Sequence, residues 1–292
     1  MAAKATGSPD SHPSVAARAL RGVPGFRRVA RGLRAGWQRR RPFPRPRYLD
    51  STPRIGGDDP WHPFFPPTAG TVGSAAMSEE AADFVMNVLD KLTPTEDHVA
   101  EAFYYSWSRA KFGAHLRYAD LLTTLWAAAT FVRPANYLEV GVHRGRGCAV
   151  VGSACPDAAI YGFDLWDPDY VGRENPGPDF VRDELRAVGH TGDVVLVPGD
   201  SRKTLPAFLR ERPQLFFGLI TIDGDKSVRG FGGDVAAALP RLQLGGVLIV
   251  DDLAVVPVLR RVWYAVIEQD RRFLTWEFAD GAHGVAAAVR MT

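Results

Sequence analysis

From Asn136 onward, short apolar runs alternate with amphipathic stretches, and this alternation constrains the fold more than any other feature of the chain. The apolar runs fall at 136–140, 159–164, 194–199, 217–222 and 247–251, with helical patterns near 145–154, 178–188, 201–211, 229–239 and 254–269. Strands separated by helix-length connections predict an α/β chain with a parallel sheet built from βαβ units and helices on both faces. The segments FLTWEF and GVAAAVR flank the turn ADGAH near the C-terminus. They predict a hairpin that adds an antiparallel strand at the sheet edge.

Upstream of the sheet, Ser78, Glu79 and Glu80 open a helix with Phe84, Val85, Val88, Leu89 and Leu92 on one face. Thr93, Pro94 and Glu96 have the spacing of N-cap, N1 and N3 in a capping box, which predicts a second helix through AEAFYYSWSRAKF. A third is expected over HLRYADLLTTLWAAATF. The prolines and glycines of DDPWHPFFPPTAGTVG (58–73) read as a linker. The domain plan is a basic arm at 1–57, a linker at 58–77, N-terminal helices at 78–131 and the main domain at 132–292. No internal repeat is visible.

Charge is partitioned along this plan. Residues 1–57 hold 13 Lys/Arg and 2 Asp/Glu, which leaves 22 against 31 in the rest, so the basic pI of 8.6 belongs to the arm and the main domain is acidic. Nucleic-acid binding by the main domain does not follow from that pI. Within the arm, Val23, Phe26, Val29, Leu33 and Trp37 recur at helical spacing, a pattern suited to an amphipathic helix on an anionic surface. A solvated basic tail and an organellar transit peptide are the competing readings.

The content of 46% hydrophobic and 23% charged residues is that of a globular chain with a real core. Cys148 and Cys155 are too few for a disulfide framework and lack metal-ligand spacing, which favours a reducing, cytoplasmic setting. No apolar run is long enough to span a membrane, and no secretory leader is expected. Homo-oligomerisation is left open.

The stretch NYLEVGVHRGRGCAVV joins the first strand to a helix through Gly141, Gly145 and Gly147, which lets backbone pass close to a ligand at a helix N-terminus. Its spacing differs from the G-x-G-x-x-G of nicotinamide cofactor sites, and Glu139 stands two residues before the first glycine. The stretch resembles motif I of class I S-adenosylmethionine methyltransferases, E/D-x-G-x-G-x-G, with His143 where the middle glycine is most common. The resemblance implies a Rossmann-like fold and a cofactor whose sulfonium and ammonium suit acidic partners. Over about 155 residues it also implies that Asp164 and Leu165, in YGFDLWD, meet the ribose. Asp200 and Ser201, in VPGDSRKTLP, would meet the adenine, although an N-cap is nearly as good a reading of that pair. The cofactor set is thus Glu139, Gly141, His143, Gly145, Asp164, Leu165, Asp200, Ser201 and Asp223.

LITIDGDKS and VLIVDDL end the fourth and fifth strands with Asp223, Asp225, Asp251 and Asp252. Ligands of open α/β sheets bind beyond the carboxyl ends of the strands, where these acids would converge. A hard dication such as Mg²⁺ relieves their mutual repulsion. The spacing resembles that of metal-dependent O-methyltransferases, and IDGDKS followed by GGVLIVDD looks most like the bacterial group acting on sugars and secondary metabolites. That resemblance implies Asp223, Asp251 and Asp252 as metal ligands, with Asp225 in reserve, and a hydroxyl-bearing small molecule as substrate.

Lys226 and Asp223 are the catalytic candidates. A lysine among carboxylates has its pKa raised, the wrong direction for a base, and a bound cation reverses that. A surface ion pair to Asp225 is the plain alternative for Lys226. The segment WDPDYVGRENPGPDF (166–180) has the length of a lid, and the helices carrying YYSW and His115 are candidates to roof the pocket. His143 is expected to face the cofactor, whereas His190 and His283 fall in turns and receive no role. Two other functions compete: a nicotinamide-dependent oxidoreductase or epimerase on the same kind of sheet, and a nonenzymatic protein that binds through the arm.

Overall fold

The computed structural model describes residues 68–168, 175–279 and 283–292, so the basic arm and its amphipathic pattern lie outside the described residues. Seven strands make one sheet: β1 (Asn136–Val140), β2 (Ala159–Asp164), β3 (Val194–Pro198), β4 (Phe217–Ile222), β5 (Leu242–Val250), β6 (Phe273–Phe278) and β7 (Val285–Arg290). Their order is β3-β2-β1-β4-β5-β7-β6. β1 to β5 run parallel, while β7 is antiparallel to both β5 and β6. The hairpin expected from the sequence is therefore present, with its second strand inserted next to β5 and its first forming the edge.

The helices are α1 (Ala69–Ala76), α2 (Glu79–Leu89), α3 (Glu96–Phe112), α4 (Leu121–Val132), α5 (Arg146–Ala154), α6 (Pro178–Ala187), α7 (Ser201–Glu211), α8 (Val228–Ala238) and α9 (Pro257–Trp263). Alternation along the strands builds a core on each face. Tyr137, Leu219, Val247, Ile249, Ala287 and Val289 pack with α1, α2, α4 and α5. Leu138, Val140, Ile220, Ile222, Leu248 and Val250 pack with α7, α8 and α9. Chain order reverses between β1 and β4, and the crevice that opens there is the natural ligand position of such a sheet.

The helices depart from the sequence reading in four ways, three of them upstream of the sheet. Residues 69–76 of the expected linker are helical, because the prolines end at Pro67 and Thr68 accepts a hydrogen bond from the Thr71 N–H as N-cap. Thr93 does not cap α3; its N–H and hydroxyl donate to Glu184 of α6, at 3.0 and 2.6 Å, and the helix begins at Glu96. α4 starts at Leu121, well after His115, because Asp120 and Thr123 exchange side-chain and backbone hydrogen bonds in a capping box. α9 starts at Pro257 rather than at 254, since proline fits N1 and cannot donate further in, and it relaxes into a π turn over Tyr264–Glu268.

Candidate functional site

At the head of β1 the backbone of two loops comes into contact. Asp223 donates its N–H to the Val140 carbonyl at 2.7 Å, and a Cβ added to Gly141 would sit 2.5 Å from the Asp223 carbonyl carbon and oxygen. Gly141 has φ 91°, so glycine is required there on two counts. The chain then passes through His143 at φ 50° and reaches Gly145, which caps α5 at φ 82°. His143, Trp166 and Asp252 are three of the four non-glycine residues with positive φ among the described residues, and all three belong to loops at this end of the sheet. Such clustering is typical of functional sites.

Glu139 is buried at the end of β1, 2% exposed, and accepts hydrogen bonds from the Tyr137 hydroxyl (3.0 Å) and the Cys148 thiol (2.8 Å). Its carboxylate lies where a side chain on Gly147 would be, 2.4 Å from the added Cβ, so the first turn of α5 closes over it. Burial pushes its pKa up to about 8 against the pull of those two donors, and the charges of Asp223 and Asp164 add to the rise. Its neutral form is thus favoured more than in an ordinary carboxyl, and a cation beside it would favour the ionised one.

Asp164 ends β2 and organises the loop around itself. It accepts from the backbone N–H groups of His143 (2.8 Å) and Trp166 (2.7 Å) and from the Asn175 amide (3.2 Å). Trp166 in turn donates its indole N–H to the His143 carbonyl at 3.1 Å. Asp200 caps α7 and holds the Arg202 guanidinium at 2.8 and 2.9 Å, a pairing that lowers its pKa. The N-cap reading of Asp200 therefore describes its hydrogen bonds, while both Asp200 and Ser201 also face the cavity.

The acids at the ends of β4 and β5 surround Lys226. Its ammonium contacts the Asp223 carboxylate, the Asp223 carbonyl oxygen (3.0 Å) and Asp252 Oδ2 (2.7 Å). Burial works to depress the Lys226 pKa, but Asp223 and Asp252 outweigh it and hold the group well above the usual lysine range. Burial raises the Asp223 pKa, opposed by Lys226, and raises that of Asp251 further, with Asp223 and Asp252 adding to it. Asp225 turns away: its carboxylate accepts from the Ser227 N–H at 2.8 Å and approaches Arg202 at 4.0 Å. An ion pair between Lys226 and Asp225 is not what the structure contains.

These groups line one cavity of about 950 Å³ over the carboxyl ends of the strands. Glu139, Gly141, His143, Asp164, Leu165, Asp200, Ser201, Asp223, Lys226, Asp251 and Asp252 all contribute to its wall. Gly145 stands behind the wall, against Val181. From the upstream segment Glu101 of α3 and, in the connection before α4, Tyr118 and Asp120 reach the cavity, whereas neither the YYSW residues 104–107 nor His115, the expected roof, is among its lining residues. Of the suspected lid, 169–174 lie outside the described residues, and Asn175 lines the wall.

His283 is the residue that sequence reasoning dismissed and the fold brings in. The insertion of β7 beside β5 puts the hairpin end against the loop after β5, where Leu253 and Ala254 donate to the Gly284 and His283 carbonyls at 3.0 and 2.9 Å. His283 Nδ1 then lies 2.9 Å from Asp252 Oδ1. The only signal in the sequence was indirect, since a hairpin next to the strand bearing Asp251 and Asp252 must end near them. One carboxylate oxygen each of Asp251 and Asp252 and a ring nitrogen of His283 all lie within 4.8 Å of one another. Hard carboxylate donors gathered in this way fit a divalent cation.

Residues 138–253 match the protein family described as a methyltransferase domain. No curated protein matches the chain. Among solved structures, the chain is similar to CalS11, a calicheamicin methyltransferase, at 22% identity over 72% of this chain and 91% of that one, with a TM-score of 0.47. It is also similar to an O-methyltransferase from Bacillus cereus in complex with SAH, at 18% identity over 73% and 99% of the two chains and a TM-score of 0.46. A third is the O-methyltransferase TomG from Streptomyces achromogenes, involved in tomaymycin synthesis and solved with SAM, at 16% identity over 69% and 92% and a TM-score of 0.47.

Proposed function

We propose, from the match of residues 138–253 to a methyltransferase domain, that this chain is a class I methyltransferase which transfers the methyl group of S-adenosylmethionine to a hydroxyl oxygen of a small molecule. The observation that carries the reading is the convergence of Glu139, Asp164, Asp223, Asp251 and Asp252 on one cavity at the carboxyl ends of parallel strands. A phosphate-bearing dinucleotide would meet repulsion from such a wall, whereas a ligand carrying a sulfonium and an ammonium is attracted to it. That polarity disfavours the oxidoreductase reading. Glu139 and Asp164 would take the amino-acid and ribose ends of the cofactor, and Asp200 and Ser201 its adenine.

The acceptor side lies between Lys226, Asp251 and the upstream residues Tyr118 and Asp120. A sugar or secondary-metabolite hydroxyl is the acceptor class that the IDGDKS and GGVLIVDD segments support. Asp223, Asp251 and Asp252 would hold a divalent cation such as Mg²⁺, which when bound supplies Lewis-acid polarisation of the acceptor oxygen and offsets the charge that keeps Lys226 protonated. Lys226 Nζ is the atom that holds or moves the acceptor proton, and as an ammonium it also donates a hydrogen bond to a developing oxyanion. Alignment of that oxygen with the methyl carbon does the rest, since a well-oriented pair saves roughly 7–11 kcal/mol of barrier.

The test is incubation of the full chain with S-adenosylmethionine labelled in its methyl group and a panel of sugars and phenolic or polyketide metabolites, with Mg²⁺ or with a chelator. A labelled ether product supports the reading. Calorimetric binding of a nicotinamide dinucleotide, with none of S-adenosylmethionine, would overturn it.

A further inference from the structure

The metal set read from the sequence consists of oxygen donors alone, on β4 and β5. The donor atoms that lie closest together are different: one carboxylate oxygen each from Asp251 and Asp252, and an imidazole nitrogen of His283, all within 4.8 Å of one another. Lys226 holds one carboxylate oxygen of Asp223 and one of Asp252, and it is the other oxygen of Asp252 that faces His283 Nδ1. We propose that His283 joins the carboxylates as a metal ligand, so that the cation centre is a mixed nitrogen and oxygen site which prefers a first-row transition-metal dication to Mg²⁺. This rests on the reading of the cavity as a metal-assisted transfer site, to which it adds a ligand and a preferred ion.

Three observations carry the inference. The His283 Nδ1 to Asp252 Oδ1 separation of 2.9 Å matches the spacing of about 3.0 Å between neighbouring ligands on an octahedral ion with bonds of about 2.1 Å. Two backbone hydrogen bonds, Leu253 to Gly284 and Ala254 to His283, fix the main chain of the hairpin end to the loop carrying Asp252, which keeps His283 beside that carboxylate. Gly284, at φ 83°, permits that approach, since a Cβ on it would lie 2.7 Å from the Ala254 nitrogen.

The chemistry of an imidazole then sets the ion. Carboxylate and water ligands suit Mg²⁺ and Mn²⁺, whereas one neutral nitrogen donor shifts preference toward Fe²⁺, Co²⁺, Ni²⁺ and Zn²⁺. Mg²⁺ also keeps its water shell more tenaciously.

The untagged full chain is titrated with Zn²⁺ and with Mg²⁺ by calorimetry and with Co²⁺ by visible absorption, beside His283→Ala, His283→Gln and Asp252→Asn. The side chain of His283 is 70% exposed, so its replacement leaves the fold intact, which circular dichroism checks. We expect Zn²⁺ and Co²⁺ to bind at least tenfold more tightly than Mg²⁺. In both His283 variants their affinity falls at least tenfold while that of Mg²⁺ changes less than threefold, and Asp252→Asn weakens all three ions. The Co²⁺ form of the parent also shows a paramagnetically shifted, exchangeable imidazole proton that His283→Ala lacks. Unchanged Zn²⁺ and Co²⁺ affinity in the His283 variants, or tighter binding of Mg²⁺ than of Zn²⁺ by the parent, overturns the inference. Because no readout uses methyl transfer, either result leaves the methyltransferase reading to its own test.

Discussion

Glu139 is buried at the cavity wall, donated to by Tyr137 and Cys148 and repelled by Asp223 and Asp164. Its pKa of about 8, raised by burial from the ordinary 4.5, gives a sign to two measurements. Binding of a cationic cofactor requires the ionised form, so affinity should rise as pH climbs from 6 to 9 in the parent, while Glu139→Gln binds more weakly and without that slope; calorimetric titrations across this range decide it. A carboxyl whose folded pKa exceeds its unfolded value favours the fold below the unfolded value and loses that contribution as pH rises through the folded one. Between about pH 4.5 and 8 the parent should therefore lose stability that Glu139→Gln keeps, on the order of a few kcal/mol, visible as a widening gap in denaturation midpoints. Asp251 works on the chemistry instead. Asp251→Ala should reduce turnover by at least 100-fold while changing the cofactor Kd less than fivefold; equal losses in both would show that Asp251 serves the cofactor and not the reacting oxygen.

At the level of elements, α1 offers a contest between helix propensity and packing. Gly73 lies inside the helix, where alanine is ordinarily favoured by about 0.8–1 kcal/mol. A Cβ at Gly73 would meet the Trp276 indole of β6 at 2.2 Å, a contact that neither the helix nor the edge strand can relieve cheaply. Overpacking of this kind costs about 1–3 kcal/mol, so packing wins and Gly73→Ala should be destabilising in urea denaturation despite its better propensity. The same residue shows why the sequence was legible in some places and opaque in others. Strands β1 to β5 and their helices announced themselves through apolar runs and periodicity, because parallel strands under helices bury nearly every side chain. α1 did not, since Gly70 and Gly73 read as a turn until the partner indole is known. Thr93 likewise carries a capping pattern that a distant carboxylate, Glu184, takes over. His283 needed the position of β7 between β5 and β6, a tertiary fact with no local signature.

For the whole molecule, the acidic cavity and the basic arm pose a question of division of labour. Residues 1–57 hold 13 Lys/Arg against 2 Asp/Glu, whereas the remainder of the chain holds 22 against 31. Among the described residues no helix is long and apolar enough to cross a membrane. Every group that we assign to the cofactor lies between Glu139 and Asp223, inside the stretch that matches the methyltransferase domain. Removal of residues 1–57 should therefore leave the affinity for S-adenosylmethionine within threefold of the full chain. If the arm docks on an anionic surface, the full chain will bind vesicles rich in phosphatidylserine with an affinity that falls steeply between 50 and 300 mM salt, while the shortened chain will not bind them. These two titrations separate the rival functions. A chain that works only through its basic arm loses all ligand binding on truncation, whereas an enzyme built around the acidic crevice retains cofactor binding and surrenders only the surface. Ionic strength should act on the two events in very different degree, because cofactor binding in an enclosed crevice is screened far less than an arm spread over lipid.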